Sequence, residues 1–197
     1  GPVHVVVDST GLKIFGEGEW KVRQHGVGKR RTWRKIHLAV DEAEKDIIGI
    51  ELTTADWGDS EVFPELLAQV DGEVTQVSAD GAYDTERCHR SIAERGAQAA
   101  IPPRDGAVRW GDNHPRDATL AVIADRGRDG WKEDSGYHRR SLAENMMFRL
   151  KQLGDRLFSR TFERQVAEAH VRVAILNGFT YLGMPRSVRA GQIAPAA

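Results

Sequence analysis

Apolar and β-branched residues recur in short runs along the chain, and these runs predict a series of strands. The predicted strands cover residues 3–7, 33–41, 46–53, 74–79 and 97–101. Residues 33–41 alternate in polarity and a polar turn separates them from the next strand, so the two are expected to form an antiparallel hairpin. The first and fourth strands each end at an aspartate, Asp8 and Asp80, with a glycine within the next three residues.

Apolar residues at helical spacing predict helices between and after these strands. The helices are expected at about residues 59–70, 85–96, 118–126, 131–158 and 161–176. Glycine and polar residues predict a loop at 12–32 and a loop or small insertion at about 104–118. A hairpin followed by strand–helix units predicts an α/β fold, a mixed sheet with an antiparallel hairpin and helices on both faces.

One domain accounts for nearly the whole chain of 197 residues, a length that suits a single sizeable core. We expect this domain at 1–183, including a basic loop at 16–35, and a disordered tail at 184–197. Cys88 is the only cysteine, so the chain has neither an internal disulfide nor a cysteine metal site, which favours a reducing compartment. No stretch approaches 18 uncharged apolar residues, so we expect a cytoplasmic protein without a membrane partner.

The predicted helix at 131–158 has one polar face and one apolar face. Tyr137, Arg140, Glu144 and Lys151 fall within about 60° of one another on a helix with 100° per residue. The opposite side carries the apolar residues Leu142, Met146, Leu150, Leu153 and Leu157. Taken alone, the polar stripe is most simply an ion-pair ladder on a solvated helix face. Its meaning therefore depends on whether Glu144 meets other carboxylates.

Positive charge is concentrated in one segment, although the formal net charge of the chain is only −1. The segment from residue 21 to residue 35 contains no acid, and its cations are Lys21, Arg23, Lys29, Arg30, Arg31, Arg34 and Lys35. A local basic patch beside Trp33 suits contact with a nucleic-acid backbone and stacking on bases. A solvated basic loop is the alternative interpretation.

Asp8 and Asp80 follow neighbouring strands, and Glu144 lies on a helix that packs nearby. Strand ends are where ligands bind in open α/β sheets, so we expect the two aspartates to converge. Three adjacent carboxylates repel one another, and a hard divalent cation such as Mg²⁺ or Mn²⁺ relieves that repulsion. Two such ions about 4 Å apart can promote phosphoryl transfer. Each aspartate alone is more simply a turn residue, Asp8 at a strand end and Asp80 in an Asp-Gly turn.

Three segments carry a resemblance to a known family. They are Val7-Asp8-Ser-Thr-Gly11, Ala79-Asp80-Gly-Ala-Tyr83-Asp84 and Tyr137-x2-Arg140-x3-Glu144-x6-Lys151. They resemble the motif blocks of DDE transposases from bacterial insertion sequences, and the third matches the Y-(2)-R-(3)-E-(6)-K spacing in full. The resemblance covers about residues 3–185. It implies a ribonuclease H-like catalytic domain in which Asp8, Asp80 and Glu144 are catalytic and bind two metal ions.

The neighbouring cations and Tyr137 acquire roles from the same resemblance. Tyr137, Arg140 and Lys151 are expected to position DNA phosphates beside the scissile bond, with an ordinary ion pair and a bonded phenol as the alternative. The residues expected to bind nucleic acid in the basic patch are Lys29, Arg30, Arg31, Trp33, Arg34 and Lys35.

The leading functional hypothesis is a transposase catalytic domain that cleaves DNA at element ends and joins the 3′-hydroxyl to target DNA. Its expected partners are double-stranded DNA, both terminal inverted repeats and target, and further copies of the chain assembled on DNA in the bacterial cytoplasm at the nucleoid. One alternative is a metal-dependent nuclease of the same fold that only hydrolyses. The other is a truncated or domesticated protein that binds DNA without catalysis.

Overall fold

The computed structural model describes residues 1–14, 33–111 and 114–183, which form a six-stranded sheet with helices on both faces. The strands are β1 (Val3–Ile14), β2 (Trp33–Asp41), β3 (Ile47–Thr54), β4 (Val74–Ser78), β5 (Gln98–Ala100) and β6 (Arg156–Leu157). The helices are α1 (Asp59–Ala68), α2 (Glu86–Glu94), α3 (Pro115–Ser135), α4 (Ser141–Gln152) and α5 (Phe162–Leu182). Two 3₁₀ turns, Gly81–Tyr83 and Tyr137–Arg140, lie next to the predicted site residues.

The sheet has the strand order β3-β2-β1-β4-β5, with β6 paired to the far end of β1. β1, β2 and β3 are antiparallel, whereas β4 and β6 run parallel to β1 and β5 runs parallel to β4. The hairpin of β2 and β3 confirms the sequence prediction for residues 33–53. The mixed sheet with helices on both faces is also as predicted.

β1 is longer than the sequence predicted, because it continues through Asp8 to Ile14. The turn-like residues after Asp8 pair with β2 instead, for example Ser9 with His37 and Thr10 with Ile36. Leu12 is fully buried, so ladder hydrogen bonds and apolar burial outweigh the local turn preference. The prediction that the strand ends at Asp8 is therefore wrong, and Asp8 lies in mid-strand.

The predicted continuous helix at 131–158 is wrong as well. Gly136 adopts a left-handed conformation with φ 66° and ends α3, a backbone state that glycine reaches at low cost. A 3₁₀ turn then leads into α4, and Leu157 belongs to β6 rather than to a helix. Leu153 is 36% exposed, in contrast to its predicted burial. The buried face of α4 consists of Ala143, Met146, Met147 and Leu150.

Two apolar clusters fill the space between the sheet and its helices. One packs α4 and α5 against one face of β1, β2 and β3, and Leu12, Leu38 and Leu150 are among its members. The other packs α1 and α2 against the opposite face. Because β1 contributes alternate residues to both clusters, Val6 faces α4 and α5 while Val7 faces the other side. Asp8, two residues after Val6, therefore points to the α4 side.

Several predicted boundaries differ in detail. Residues 33–35, predicted as the end of the basic loop, belong to β2, and residues 115–118, predicted as the end of the insertion, belong to α3. The last helix, predicted to end at residue 176, extends to Leu182. Residues 16–31, with Lys29, Arg30 and Arg31, and the tail predicted at 184–197 lie outside the described residues. None of the described helices combines the length and apolar character needed to cross a bilayer.

Candidate active site

The sheet has a notch beside β1 at the level of Asp8. The last residues paired between β1 and β4 are Val6 and Ser78, and β6 joins β1 only at Lys13. Asp8 and Asp80 each follow that last pair by two residues, so the parallel register carries them to the same place. Burial is the main cause that raises the pKa of Asp8, and the charge of Asp80 is a smaller contribution to it, which agrees with that placement.

Asp80 lies on the 3₁₀ turn that follows β4. Its carboxylate accepts a hydrogen bond of 2.8 Å from the backbone N–H of Ala82, and its carbonyl accepts one of 3.1 Å from Tyr83. The carboxylate thus caps a short turn, which was one interpretation of the Asp-Gly sequence. The same turn brings the half-buried side chain to the edge of the notch.

Glu144 reaches the same region from the first turn of α4. Arg140 connects it to β1, because the guanidinium forms an ion pair with Glu144 and lies 3.5 Å from an Asp8 carboxylate oxygen. Burial raises the pKa of Asp8, and the charges of Asp80 and Glu144 add to that rise, while the Ser9 N–H and Arg140 oppose it. The site is therefore anionic, and Arg140 compensates part of the charge.

A metal ion fits this donor set in its chemistry. All three acids offer carboxylate oxygens, the ligands that Mg²⁺ and Mn²⁺ prefer. Within the described residues, however, no three His, Cys, Asp or Glu side chains are grouped closely enough to hold an ion. Arg140 sits between Asp8 and Glu144 and supplies the positive charge that an ion would otherwise bring.

Tyr137 and Lys151 frame the carboxylates. The ring of Tyr137 contacts Trp131 at 5.3 Å between centroids and lies 5.8 Å from the guanidinium carbon of Arg140. The ammonium of Lys151 donates to the Thr10 hydroxyl at 2.6 Å, two residues along β1 from Asp8. The four residues of the predicted polar stripe therefore face the same side of the sheet. They belong to two elements, a 3₁₀ turn and α4, and not to a single helix.

The described residues of the basic patch already have partners within the chain. Arg34 donates to the Gln165 side chain at 2.8 Å and its guanidinium lies over the Phe162 ring. Lys35 forms an ion pair of 2.9 Å with Asp59. Trp33 packs on Gly11, where an added Cβ would meet its ring at 3.3 Å. These three residues therefore support the hairpin as well as line its surface.

A buried ion pair behind the Asp80 turn was missed by the sequence analysis. Asp84 accepts two hydrogen bonds of 2.7 Å from Arg116, one of 3.1 Å from His89 and one of 3.2 Å from the Arg104 N–H. Burial alone would raise the pKa of Asp84, but these donors hold it well below its usual range. The only sequence signal was the position of Asp84 four residues after Asp80, because its two arginine partners lie in the segment that was predicted to be a loop.

The family model described as the transposase DDE domain matches residues 1–177 of the chain. Among solved structures, the piggyBac transposase synaptic complex with hairpin DNA matches with a TM-score of 0.52 at 12% identity, over 91% of this chain and 47% of that chain. The catalytic core domain of BIV integrase matches with a TM-score of 0.42 at 11% identity, over 88% of this chain and 82% of that chain.

The piggyBac match is a likeness of fold, and this chain spans about half the length of that transposase chain. The fold class predicted from the sequence, a ribonuclease H-like mixed sheet with an antiparallel hairpin, is confirmed.

Proposed function

The chain belongs to the transposase DDE domain family and is a transposase catalytic domain, and we propose that it cleaves DNA at the ends of a mobile element and joins the freed 3′-hydroxyl to target DNA. The proposal is supported by the register of the sheet, in which Asp8 and Asp80 each lie two residues beyond the last pair of β1 and β4, and by Arg140, which links Glu144 to Asp8. This arrangement supports catalysis by the three carboxylates together.

We propose that Asp8, Asp80 and Glu144 hold Mg²⁺ or Mn²⁺, two ions in the complete site. Burial is the main cause of the raised pKa of Asp8, and the charges of Asp80 and Glu144 add to it, so the charged form of Asp8 is disfavoured without a further cation. A bound divalent cation would supply that compensation and polarise an attacking water or 3′-hydroxyl. Glu144 is 53% exposed on its side chain, so it can turn towards the two aspartates without unpacking the core.

Arg140, Lys151 and Tyr137 are proposed to position the DNA strand. Arg140 and Lys151 place two cations beside the carboxylates, and phosphate oxygens are natural partners for both. Tyr137 packs on Trp131 and Arg140, so its ring keeps the guanidinium at the notch. These contacts hold a phosphate where the carboxylates can act on it and carry no base specificity.

The basic segment that includes Lys29, Arg30, Arg31, Arg34 and Lys35 is proposed to bind the DNA backbone, with Trp33 at its edge. Its charge favours phosphate contacts that do not depend on base sequence. Double-stranded DNA, as terminal inverted repeat and as target, is therefore the proposed partner. Joining two ends requires them to be held together, so we also propose a homo-oligomer on DNA, acting on the bacterial chromosome.

The test is a strand-transfer assay with a labelled terminal-repeat oligonucleotide and supercoiled target DNA in Mn²⁺. The wild-type chain should give cleaved and joined products, and Asp80→Ala should abolish both while its thermal unfolding midpoint stays unchanged. Asp71→Ala, at an exposed position before β4, is the matched control and should retain activity. Products that are cleaved but never joined would favour the nuclease alternative, and DNA binding without any cleavage the non-catalytic one. Activity in a clean Asp80→Ala preparation would refute the assignment.

A further inference from the structure

Arg104 donates two hydrogen bonds to the turn that carries Asp80. Its Nε donates to the carbonyl of Gly81 at 2.9 Å, and its Nη2 donates to the carbonyl of Ala82 at 3.0 Å. These are the two residues that directly follow Asp80 in the 3₁₀ turn. An exposed arginine thus binds consecutive carbonyls that water would otherwise solvate, so its contacts restrict the turn rather than fill a core.

A second arginine, Arg116, restrains the end of the same turn through Asp84. Arg116 binds both carboxylate oxygens of Asp84 in a bidentate arrangement and donates from Nη1 to the carbonyl of Val108 at 2.8 Å. The ring of Trp110 covers its guanidinium at 4.1 Å. Asp84, His89 and Arg116 are each at most 6% exposed, so the pair is shielded from water.

β4 cannot hold Asp80 by itself, because the ladder between β1 and β4 ends at Ser78. A metal-binding carboxylate has to be held within about 0.5 Å of its working position by the groups around it. Two arginines provide that support: Arg104, which follows β5, contacts the turn itself, and Arg116, in the first turn of α3, contacts Asp84 directly after it. Outer contacts of this kind typically contribute 10–100-fold to metal affinity or activity.

We propose that Arg104, Asp84 and Arg116 are positioning residues for Asp80: together they clamp the Gly81–Tyr83 turn so that the Asp80 carboxylate meets Asp8 in a metal-binding arrangement. The inference rests on the proposed function, because it assumes that Asp80 binds a divalent cation. It adds that Arg104 and Arg116 support the catalytic site although neither side chain is proposed to touch metal or DNA.

The test compares Arg104→Met with Arg128→Met in the full chain. Arg128 is the matched control, because it is a partly exposed arginine that donates to Pro103 and Asp105 of the same segment and not to the turn. Mn²⁺ titration calorimetry should show about tenfold weaker binding in Arg104→Met than in the control. Hydrogen exchange at the amides of Tyr83 and Asp84 should accelerate in the same variant, with the unfolding midpoint unchanged.

Kinetics and a conservative variant separate positioning from folding. Arg104→Met should lower kcat for cleavage about tenfold at saturating Mn²⁺ and leave KM for DNA unchanged. Arg104→Lys should recover part of the Mn²⁺ affinity, since one ammonium can still donate to a carbonyl of the turn. Asp84→Asn with Arg116→Met removes both buried charges together, and this double variant should fold and yet bind Mn²⁺ about tenfold more weakly.

Two results would count against different claims. If Arg104→Met and Arg128→Met have equal Mn²⁺ affinity and equal exchange at the turn, the clamp is refuted while the proposed function stands. If wild-type protein binds no Mn²⁺ although Arg104→Met loosens the turn, the metal assignment of the proposed function is refuted.

Discussion

Arg140 lies 3.5 Å from Asp8 and also pairs with Glu144, so one guanidinium bridges β1 and α4 at the notch. In the proposed metal site, this cation would compete with a metal ion for the same two carboxylates. An entering ion would then displace Arg140 from at least one of them and leave the guanidinium available to a phosphate.

Arg140→Gln should bind Mn²⁺ about fivefold more tightly than wild type, because an ion pair of about 1 kcal/mol no longer opposes the metal. Cleavage should nevertheless fall at least about tenfold, since a phosphate contact is lost. Arg139→Gln is the matched control, as Arg139 pairs with Glu42 at 2.8 Å on the neighbouring surface. Calorimetry and a cleavage assay measure the two effects. Weaker Mn²⁺ binding in Arg140→Gln would contradict the competition.

Asp8 should destabilise the metal-free fold at neutral pH. Burial, with the charges of Asp80 and Glu144, raises its pKa, so the folded chain holds this proton more tightly than the unfolded chain. Between the ordinary and the raised pKa, the stability of the metal-free fold therefore decreases as pH rises. Asp8→Asn should accordingly unfold at a higher temperature than wild type at pH 7 in a chelator, and the difference should shrink as pH falls through the carboxylate range.

Calorimetric scans from pH 7 down to the onset of acid unfolding measure this difference. Asp71→Asn provides an exposed aspartate as the comparison and should show no such trend. A lower midpoint for Asp8→Asn at pH 7 would mean that its ion pair with Arg140 outweighs burial and repulsion.

Arg116→Met alone should cost about 3–5 kcal/mol in the free energy of unfolding, because it leaves the buried Asp84 carboxylate without its cation. The low pKa of Asp84 adds a pH signature. Its stabilising effect is complete above the ordinary aspartate pKa and is lost as pH falls through the depressed value. Urea unfolding at pH 7 measures the cost, and the Asp84→Asn/Arg116→Met double variant should recover most of it. No recovery in the double variant would show that the pair itself, rather than an isolated charge, determines stability.

Leu150→Ala should destabilise the fold by about 2–5 kcal/mol, since Leu150 is fully buried between α4 and the sheet. Leu153→Ala should cost less than about 1 kcal/mol, because Leu153 is 36% exposed after the end of α4. Urea unfolding curves of the two variants give both values. Equal losses in the free energy of unfolding for the two variants would support the prediction of one continuous helix with both leucines on its buried face.

Neutralising Arg30, Arg31 and Arg34 together should weaken binding to DNA of any sequence. Each lost phosphate contact should flatten the slope of log affinity against log salt by about 0.9. Arg87, Arg90 and Arg95 on and beside α2 serve as a control set of equal charge. Fluorescence anisotropy at several salt concentrations measures the slope. An unchanged slope in the first set would place the DNA path on another surface.

The sequence correctly predicted elements that depend on a local pattern of residues. It failed where the extent of an element depends on pairing with distant parts of the chain. The hairpin around residues 33–53 follows from the alternation of polarity and the polar turn between its strands. The extension of β1 beyond Asp8 depends on partners in β2 and β6, which lie far along the chain. A turn preference at Ser9 and Gly11 could not reveal them.

The site shows the same division. Motif spacing selected Asp8, Asp80 and Glu144, and the register of β1 and β4 brings the two aspartates together. Helical periodicity grouped Tyr137 and Arg140 with Glu144 on one continuous helix, whereas in the structure Gly136 ends the helix and Tyr137 and Arg140 lie on a 3₁₀ turn. The pair of Asp84 and Arg116 spans 32 residues and two irregular segments, so no local pattern could predict it.

Because β1 continues without interruption past Asp8, the fold holds the three acids with different firmness. Asp8 sits on a strand bonded to β2 throughout and to β4 and β6 near its ends, and such central strands open only when the whole molecule unfolds. Glu144 stands on a helix with its side chain half in solvent, where a rotamer change breaks no backbone bond. In the proposed metal site, folding would therefore deliver the first carboxylate in its final place and leave the third to be recruited by the ligand, so that the last step of assembly would coincide with the arrival of the substrate.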